Sequence, residues 1–86
     1  MYFVELSVRA QEFLGKLDDD IKERLEKRLK NLENNPVPSD SKFIGRDNNE
    51  MVFRYSIGKF RVLYKVKEIE KIVLIAKIDK RERAYD

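Results

Sequence analysis

The fold is decided by residues 51–67, which read MVFRYSIGKFRVLYKVK. Two runs of alternating apolar and polar residues, 51–57 and 60–67, flank Gly58-Lys59, and this pattern predicts a β-hairpin with a two-residue turn. Because side chains alternate between the faces of a strand, pairing across this turn puts the large apolar side chains on one face. The residues of that face, which we predict to be buried, are Met51, Phe53, Tyr55, Ile57, Phe60, Val62, Tyr64 and Val66.

The opposite face of the hairpin carries arginines that have no obvious partner. Arg54 and Arg61 become diagonal neighbours across the two strands, with their Cβ atoms roughly 7–8 Å apart. Two like charges at that separation favour an anion between them. The end of the chain adds two guanidinium groups and a phenol, on Arg81, Arg83 and Tyr85. Together these side chains predict a surface that binds phosphate groups.

The composition excludes several classes of chemistry. The 86 residues predict a single domain, 1–86, and the lack of cysteine and histidine removes disulfides, the usual zinc ligands and the usual neutral-pH acid–base residue. Residues 18–20 are aspartates, but they lack the spacing of a calcium loop and are typical of a helix start. We therefore expect no metal and no cofactor. No apolar run approaches the ~20 residues of a membrane span, so we expect a cytoplasmic protein without a membrane segment.

The charge is divided unevenly along the chain. Residues 1–41 hold seven basic and nine acidic side chains, a balance of −2, whereas residues 42–86 hold twelve and seven, a balance of +5. The basic half is also the half with most of the predicted strands, which favours an anionic partner such as nucleic acid. Charge alone leaves this partner open, because many soluble proteins carry a similar net charge and bind no nucleic acid.

The remaining pattern predicts an α+β fold of the order β-α-α-β-β-β-β, with a helical hairpin packed on a mostly antiparallel sheet. The predicted elements are strand 2–6, a helix capped by Ser7 with apolar positions in 10–17, a helix over 21–32, a loop over 36–50 with a short strand at 41–44, and strands 51–57, 60–67 and 71–79. The last strand is apolar on both faces, which predicts a central position in the sheet.

Two interpretations of Arg54 and Arg61 remain open from the residues alone. An antiparallel sheet often turns a polar face to water. Alternatively, the arginines lie in a partly apolar hollow, which we expect to contain Val52, Leu63, Val73 and Ile75. The chain end has the same ambiguity, because charged termini are commonly solvated, whereas a phenol such as Tyr85 can stack on a nucleobase or transfer a proton.

One long stretch and several short segments match a known family. The stretch RYSIGKFRVLYKV, residues 54–66, is similar to a family hairpin of the form R-x-R-x-G-x-[YF]-R-[VL]-[ILV]-Y-x-[VI], and KRERAY at 80–85 is similar to its K-R-x-x-x-Y close. The shorter matches are Tyr2-x-Val4-x-Leu6, Ala10, Lys16-Leu17-Asp18, Ile21, Leu25 and Lys42-Phe43-Ile44-Gly45. Over nearly its whole length the chain thus resembles the RelE/ParE superfamily of toxins from toxin–antitoxin systems, and its RelE branch in particular.

The resemblance implies an activity and a set of site residues. Members of the RelE branch cut messenger RNA in the ribosomal decoding site through a basic patch that needs no metal. On this basis Arg61 contacts the scissile phosphate, and Arg54 replaces a lysine of the same patch. Arg81 acts as an acid or a phosphate clamp, and Tyr85 stacks on the nucleotide or takes a proton from it.

One position departs from the family pattern. Val52 stands where well-studied members have a second lysine, and the nearby cations that could replace that lysine are Lys42, Arg46 and Lys65, with Arg83 as a further RNA-binding residue. The sequence also leaves the identity of the general base open. Arginine stays protonated, so the base is Tyr85 with a lowered pKa, a lysine such as Lys65, or a group of the ribosome.

The implied partners are a cognate antitoxin, which would cover the basic face or the helices in a toxin–antitoxin hetero-oligomer, together with the ribosome and its message. Two other functions stay open: a ParE-like toxin that inhibits gyrase, and a degenerate member that only binds its antitoxin. The arginines and the terminal tyrosine favour the nuclease, whereas Val52 favours the degenerate member.

Overall fold

Residues 1–80, the part of the chain that the computed structural model describes, form two α-helices and one five-stranded sheet. The elements are β1 Phe3–Leu6, α1 Val8–Gly15, α2 Asp19–Lys30, a 3₁₀ turn Asn31–Glu33, β2 Lys42–Asp47, β3 Glu50–Ile57, β4 Phe60–Lys67 and β5 Ile72–Lys80. Across the sheet the strand order is β1-β5-β4-β3-β2. Because β1 is parallel to β5 and the other neighbours are antiparallel, the predicted α+β class and element order are confirmed.

The central hairpin has the predicted register. Ile57 pairs with Phe60 and Phe53 pairs with Tyr64, so the apolar side chains share one face. Gly58 begins the two-residue turn with φ of 57°, a region that is costly for residues with a Cβ. The prediction that the last strand is interior is also confirmed, because β5 lies between β1 and β4.

The second hairpin was not predicted. The expected short strand at 41–44 extends to Asp47, and β2 pairs with β3 through a tight turn at Asn48 and Asn49. These residues have φ of 53° and 67°, and asparagine tolerates this region better than most residues. The Asn-Asn pair in the expected loop was therefore the signal for this turn.

The first helix begins after its predicted cap, whereas the second begins at Asp19, two residues before the predicted start at 21. Ser7 is the N-cap of α1, and its hydroxyl accepts a hydrogen bond from the backbone N–H of Ala10 at 3.0 Å. Asp18 occupies the N-cap position of α2, but its side chain makes no capping hydrogen bond. Neither helix in residues 1–80 is long and apolar enough to span a membrane.

The core lies between the helices and one face of the sheet, which we call the helix face. The buried helical residues are Ala10, Leu14, Leu25, Leu29 and Leu32, and the buried strand residues are Phe53, Tyr55, Ile57, Val62, Tyr64, Val66, Val73, Ile75 and Ile78. Tyr64 is fully buried, and its hydroxyl donates a hydrogen bond to the carbonyl of Pro36 at 2.8 Å. This bond ties the connection between α2 and β2 to the centre of the sheet. The helices leave the opposite face open.

Candidate functional site

The open side of the sheet carries Arg54 and Arg61, and we call it the arginine face. Arg54 pairs with Leu63 and Arg61 pairs with Ser56, so the two arginines are diagonal neighbours, as predicted. Both side chains are exposed. Val52 and Leu63 lie beside them and are half-buried, which makes the floor between the arginines partly apolar.

Four strands contribute one residue each to a continuous row across the arginine face. Lys42 on β2 lies opposite Arg54, Arg54 lies opposite Leu63 on β4, and Leu63 lies opposite Lys77 on β5. The row therefore contains three cations and one apolar side chain. Neighbouring strands are about 4.8 Å apart, so the row is about 14 Å long.

A bulge in β5 decides which residues reach this face. Tyr64 pairs with Ile75 and Leu63 pairs with Lys77, which leaves Ala76 as an extra residue. The prediction that Val73 and Ile75 share the face of the arginines is wrong, because both are fully buried in the core. Leu74, Lys77 and Asp79 are on the arginine face instead.

The bulge is held by the start of α1. The hydroxyl of Ser7 donates a hydrogen bond to the carbonyl of Ala76 at 2.8 Å, and the backbone N–H of Ser7 donates to the carbonyl of Ile75 at 3.0 Å. The Ser7 hydroxyl that caps α1 thus also binds β5 at the bulge, where the alternation of side chains along β5 changes. Ser7 therefore links the helix layer to the position of Lys77.

Carboxylates already occupy part of the basic surface. Lys65, opposite Val52, has its Nζ 2.7 Å from Asp47 Oδ2 and 3.9 Å from Glu50 Oε1. The hydrogen bond that the Lys65 amine donates to the Asp47 carboxylate raises the pKa of Lys65. A raised pKa keeps the amine protonated, so this environment argues against Lys65 as a general base and leaves its charge partly neutralised.

A second carboxylate lies next to Arg61. Asp79 is directly opposite Arg61, and its Oδ2 lies 3.3 Å from Nζ of Lys77. One carboxylate therefore faces two cations. Lys77 and Asp79 were not among the predicted site residues, although plain alternation along β5 assigns them to the same face as Val73 and Ile75, which were expected beside the arginines.

The other predicted site residues separate into two groups. Arg46 pairs with Met51, which assigns it to the helix face, and its guanidinium donates a hydrogen bond to the carbonyl of Asn49 at 3.1 Å. Arg46 is therefore not brought together with Arg54 and Arg61, whereas Lys42 is. Arg81, Arg83 and Tyr85 lie outside the described residues.

The helix face has a groove between α2 and the turn of the central hairpin. Its volume is about 560 Å³, and its apolar lining comes from Ile21, Leu25, Ile57 and Phe60. Within the described part of the chain, the charged residues that line it are all basic: Arg24, Lys27, Arg28, Lys59 and Lys80. Arg28 is fixed at one wall, where it donates a hydrogen bond to the Tyr55 hydroxyl at 3.0 Å.

The chemistry available on residues 1–80 is binding and charge stabilisation. Within this part of the chain no three acidic side chains are grouped as metal ligands. Burial raises the pKa of Tyr64 to about 12, so its phenol stays protonated at neutral pH. The guanidinium groups of Arg54 and Arg61 can bind phosphate oxygens through paired hydrogen bonds and can stabilise charge that develops on them.

Comparison with known proteins identifies the class of this fold. A family model described as "ParE toxin of type II toxin-antitoxin system, parDE" matches residues 4–85. RelE1 of Methanocaldococcus jannaschii, a protein named as a toxin, is 35% identical over 83 residues, which are 95% of this chain and 92% of RelE1.

Solved structures of RelE proteins have the same fold. The chain is similar to the archaeal RelE–RelB complex from Pyrococcus horikoshii OT3, with 27% identity, a TM-score of 0.85, and coverage of 96% of this chain and 98% of that one. It is also similar to the RelBE2 toxin–antitoxin complex of Mycobacterium tuberculosis, with 25% identity, a TM-score of 0.77, and coverage of 93% and 98%. The isolated E. coli RelE toxin, at 23% identity, a TM-score of 0.80 and coverage of 98% and 88%, shares the fold.

The molecule is therefore a toxin of a type II toxin–antitoxin system. Within that class, the chain belongs to the RelE/ParE family, and the relative and the solved structures described above are RelE proteins or their complexes.

Proposed function

We propose that this toxin is a ribosome-dependent endoribonuclease that cleaves messenger RNA in the decoding site and thereby inhibits translation. The observation that carries the proposal is the pair of exposed guanidinium groups, on Arg54 and Arg61, beside the half-buried Val52 and Leu63. Solvation alone does not account for two neighbouring arginines beside apolar side chains on one face of the sheet. A phosphate group would bind both guanidinium groups.

The proposed reaction needs no metal. The ribose 2′-oxygen attacks the adjacent phosphorus and loses its proton to a base, the bond to the 5′-oxygen breaks, and the 5′-oxygen takes a proton. Negative charge develops on the phosphoryl oxygens as the new bond forms, and Arg61 with Arg54 stabilises it. Lys42, opposite Arg54, extends this positive surface toward the edge of the sheet.

Few residues of the chain can act as the proton acceptor. Lys65 is hydrogen-bonded to Asp47 and its pKa is raised, and Tyr64 is buried and hydrogen-bonded to Pro36. We therefore assign the base to Tyr85 or to a group of the ribosome. The protein's main contribution is then to position the message and stabilise charge, which explains a dependence on the ribosome.

Induced expression tests the proposal in cells. We expect translation to stop and primer extension to map cuts within translated messages. Purified toxin should leave ribosome-free RNA nearly intact. Replication arrest with intact messages would establish the alternative gyrase-inhibiting function that a ParE-like toxin has, and binding of an antitoxin without any toxicity would establish the degenerate alternative.

For the antitoxin partner we propose the groove between α2 and the hairpin turn as a docking surface. Among residues 1–80 its lining combines apolar and basic side chains and includes no acidic one, so it fits an amphipathic segment with acidic flanks. Relatives of this chain form complexes with RelB proteins. Co-expression with the antitoxin tests this: Arg24→Glu and Lys27→Glu should weaken the complex, and Lys16→Glu, just after α1, should not. Equal affinity in all three would exclude the groove.

A further inference from the structure

The row of residues across the arginine face extends farther than the hairpin. Arg54 and Leu63 belong to the hairpin, but Lys42 continues the row onto β2 and Lys77 continues it onto β5. Lys77 reaches this face only because Ala76 is an extra residue in β5. The bulge therefore adds a cation to the surface at a point where plain alternation would point that side chain into the helix layer.

The amino group of Lys77 is paired but remains accessible. It lies 3.3 Å from Asp79 Oδ2, and the exposed fractions of the two side chains are 41% and 46%. Ion pairs that water reaches from both sides are weak and break readily when a stronger anion is present. Asp79 also lies opposite Arg61, so an anion that displaced it would gain access to two cations at once.

We propose that Lys77 is an RNA phosphate-binding residue of this toxin, and that Asp79 is a counter-ion that RNA displaces. The inference rests on the proposed function, because it assigns the substrate of that site to a further residue. It also gives the substrate a direction. The RNA backbone crosses the strands from β2 to β5, along the row of Lys42, Arg54 and Lys77, and does not follow the axis of the central hairpin.

A binding assay with an RNA that cannot be cleaved tests the proposal. The probe is a fluorescent 2′-O-methyl oligouridine, which lacks the attacking hydroxyl, and binding is followed by fluorescence anisotropy over a series of salt concentrations. Loss of one phosphate contact lowers the slope of log K against log salt by about 0.7 for a single strand, which is about an 8-fold weaker affinity near 50 mM salt. We expect these changes in Lys77→Gln, and recovery of the slope in Lys77→Arg.

The control and the counter-ion variant complete the test. Lys30→Gln removes the same charge from an exposed position of α2 and should leave the slope unchanged. Asp79→Asn should strengthen binding a few-fold, because it removes the competing anion. An unchanged slope in Lys77→Gln, or an equal loss in Lys30→Gln, would overturn the phosphate contact. Weaker binding by Asp79→Asn would overturn the counter-ion role. Thermal unfolding midpoints confirm that each variant is folded.

This test is separate from the test of the proposed function. Because the probe has no 2′-hydroxyl, its binding reports only the surface. If wild-type toxin failed to cut messages on ribosomes while Lys77→Gln still lost the contact, the nuclease proposal would fail and the RNA-binding surface would stand.

Discussion

Replacing Arg61 by alanine tests whether the arginine face acts in catalysis or is only a solvated surface. The side chain is exposed on β4 and lies between Ser56 on β3 and Asp79 on β5. Its removal leaves no cavity in the core. We therefore expect the free energy of unfolding to change by less than about 0.5 kcal/mol, as for other surface substitutions.

The effect on cleavage should be much larger. If the Arg61 guanidinium stabilises the charge that forms on the phosphoryl oxygens, its loss resembles the loss of one oxyanion-hole donor, which costs about 2.7–4 kcal/mol or roughly 10²–10³ in rate. Arg61→Lys keeps the charge but not the planar fork, so its rate should lie between those of the wild type and Arg61→Ala.

The assay is single-turnover cleavage of a message on purified ribosomes, with Arg9→Ala as the matched control. Arg9 is an exposed arginine of α1, away from the arginine face, and its replacement should leave the rate unchanged. Cleavage by Arg61→Ala at the wild-type rate would remove Arg61 from the site. A loss accompanied by a lower thermal midpoint would mean that the residue acts through the fold.

Further predictions concern the tail, the core and the bulge. If Arg81 and Tyr85 belong to the site, Arg81→Ala and Tyr85→Phe should impair cleavage without changing thermal midpoints, and a chain that ends at Asp79 should be non-toxic; full toxicity of that chain would exclude the tail. Burial raises the pKa of Tyr64 to about 12 from an unfolded value near 10, so its contribution to the free energy of unfolding is fully present below pH 10 and falls by roughly 2–3 kcal/mol as the pH rises toward 12. Denaturant titrations at several pH values should show that Tyr64→Phe is less stable at neutral pH and lacks this part of the pH dependence. An identical pH dependence in the variant would contradict the assignment. Ser7→Ala removes a helix cap and a hydrogen bond to β5, so the free energy of unfolding should fall by about 2 kcal/mol; a stability equal to that of the wild type would show that Ser7 does not link the layers.

Local patterns predicted most of the fold because they agreed with one another. The alternation over residues 51–67 and the Gly58 turn specified the register of the central hairpin, and that register alone brought Arg54 and Arg61 together. The parallel pairing of β1 with β5 has no such local signal, because it joins strands at opposite ends of the chain. Its register depends on packing of the whole sheet.

The site was predicted less completely, for a physical reason that concerns one residue. A single bulge at Ala76 reverses the alternation of β5, so Val73 and Ile75 lie in the core whereas Lys77 and Asp79 lie on the arginine face. Nothing in the residues around Ala76 specifies a bulge; the bonds that hold it come from Ser7, 69 residues away in the sequence. Long-range hydrogen bonds of this kind are set by the folded structure.

We propose above all that this toxin cuts messages where the ribosome holds them. The most direct measurement places purified ribosomes at either of two defined codons of one message, adds the toxin, and maps the new 5′ ends by primer extension. We expect one cut in the decoding-site codon, which moves by the distance between the two codons and is lost with Arg61→Ala. Cuts at fixed sequences regardless of ribosome position, or equal cutting of ribosome-free message, would contradict it.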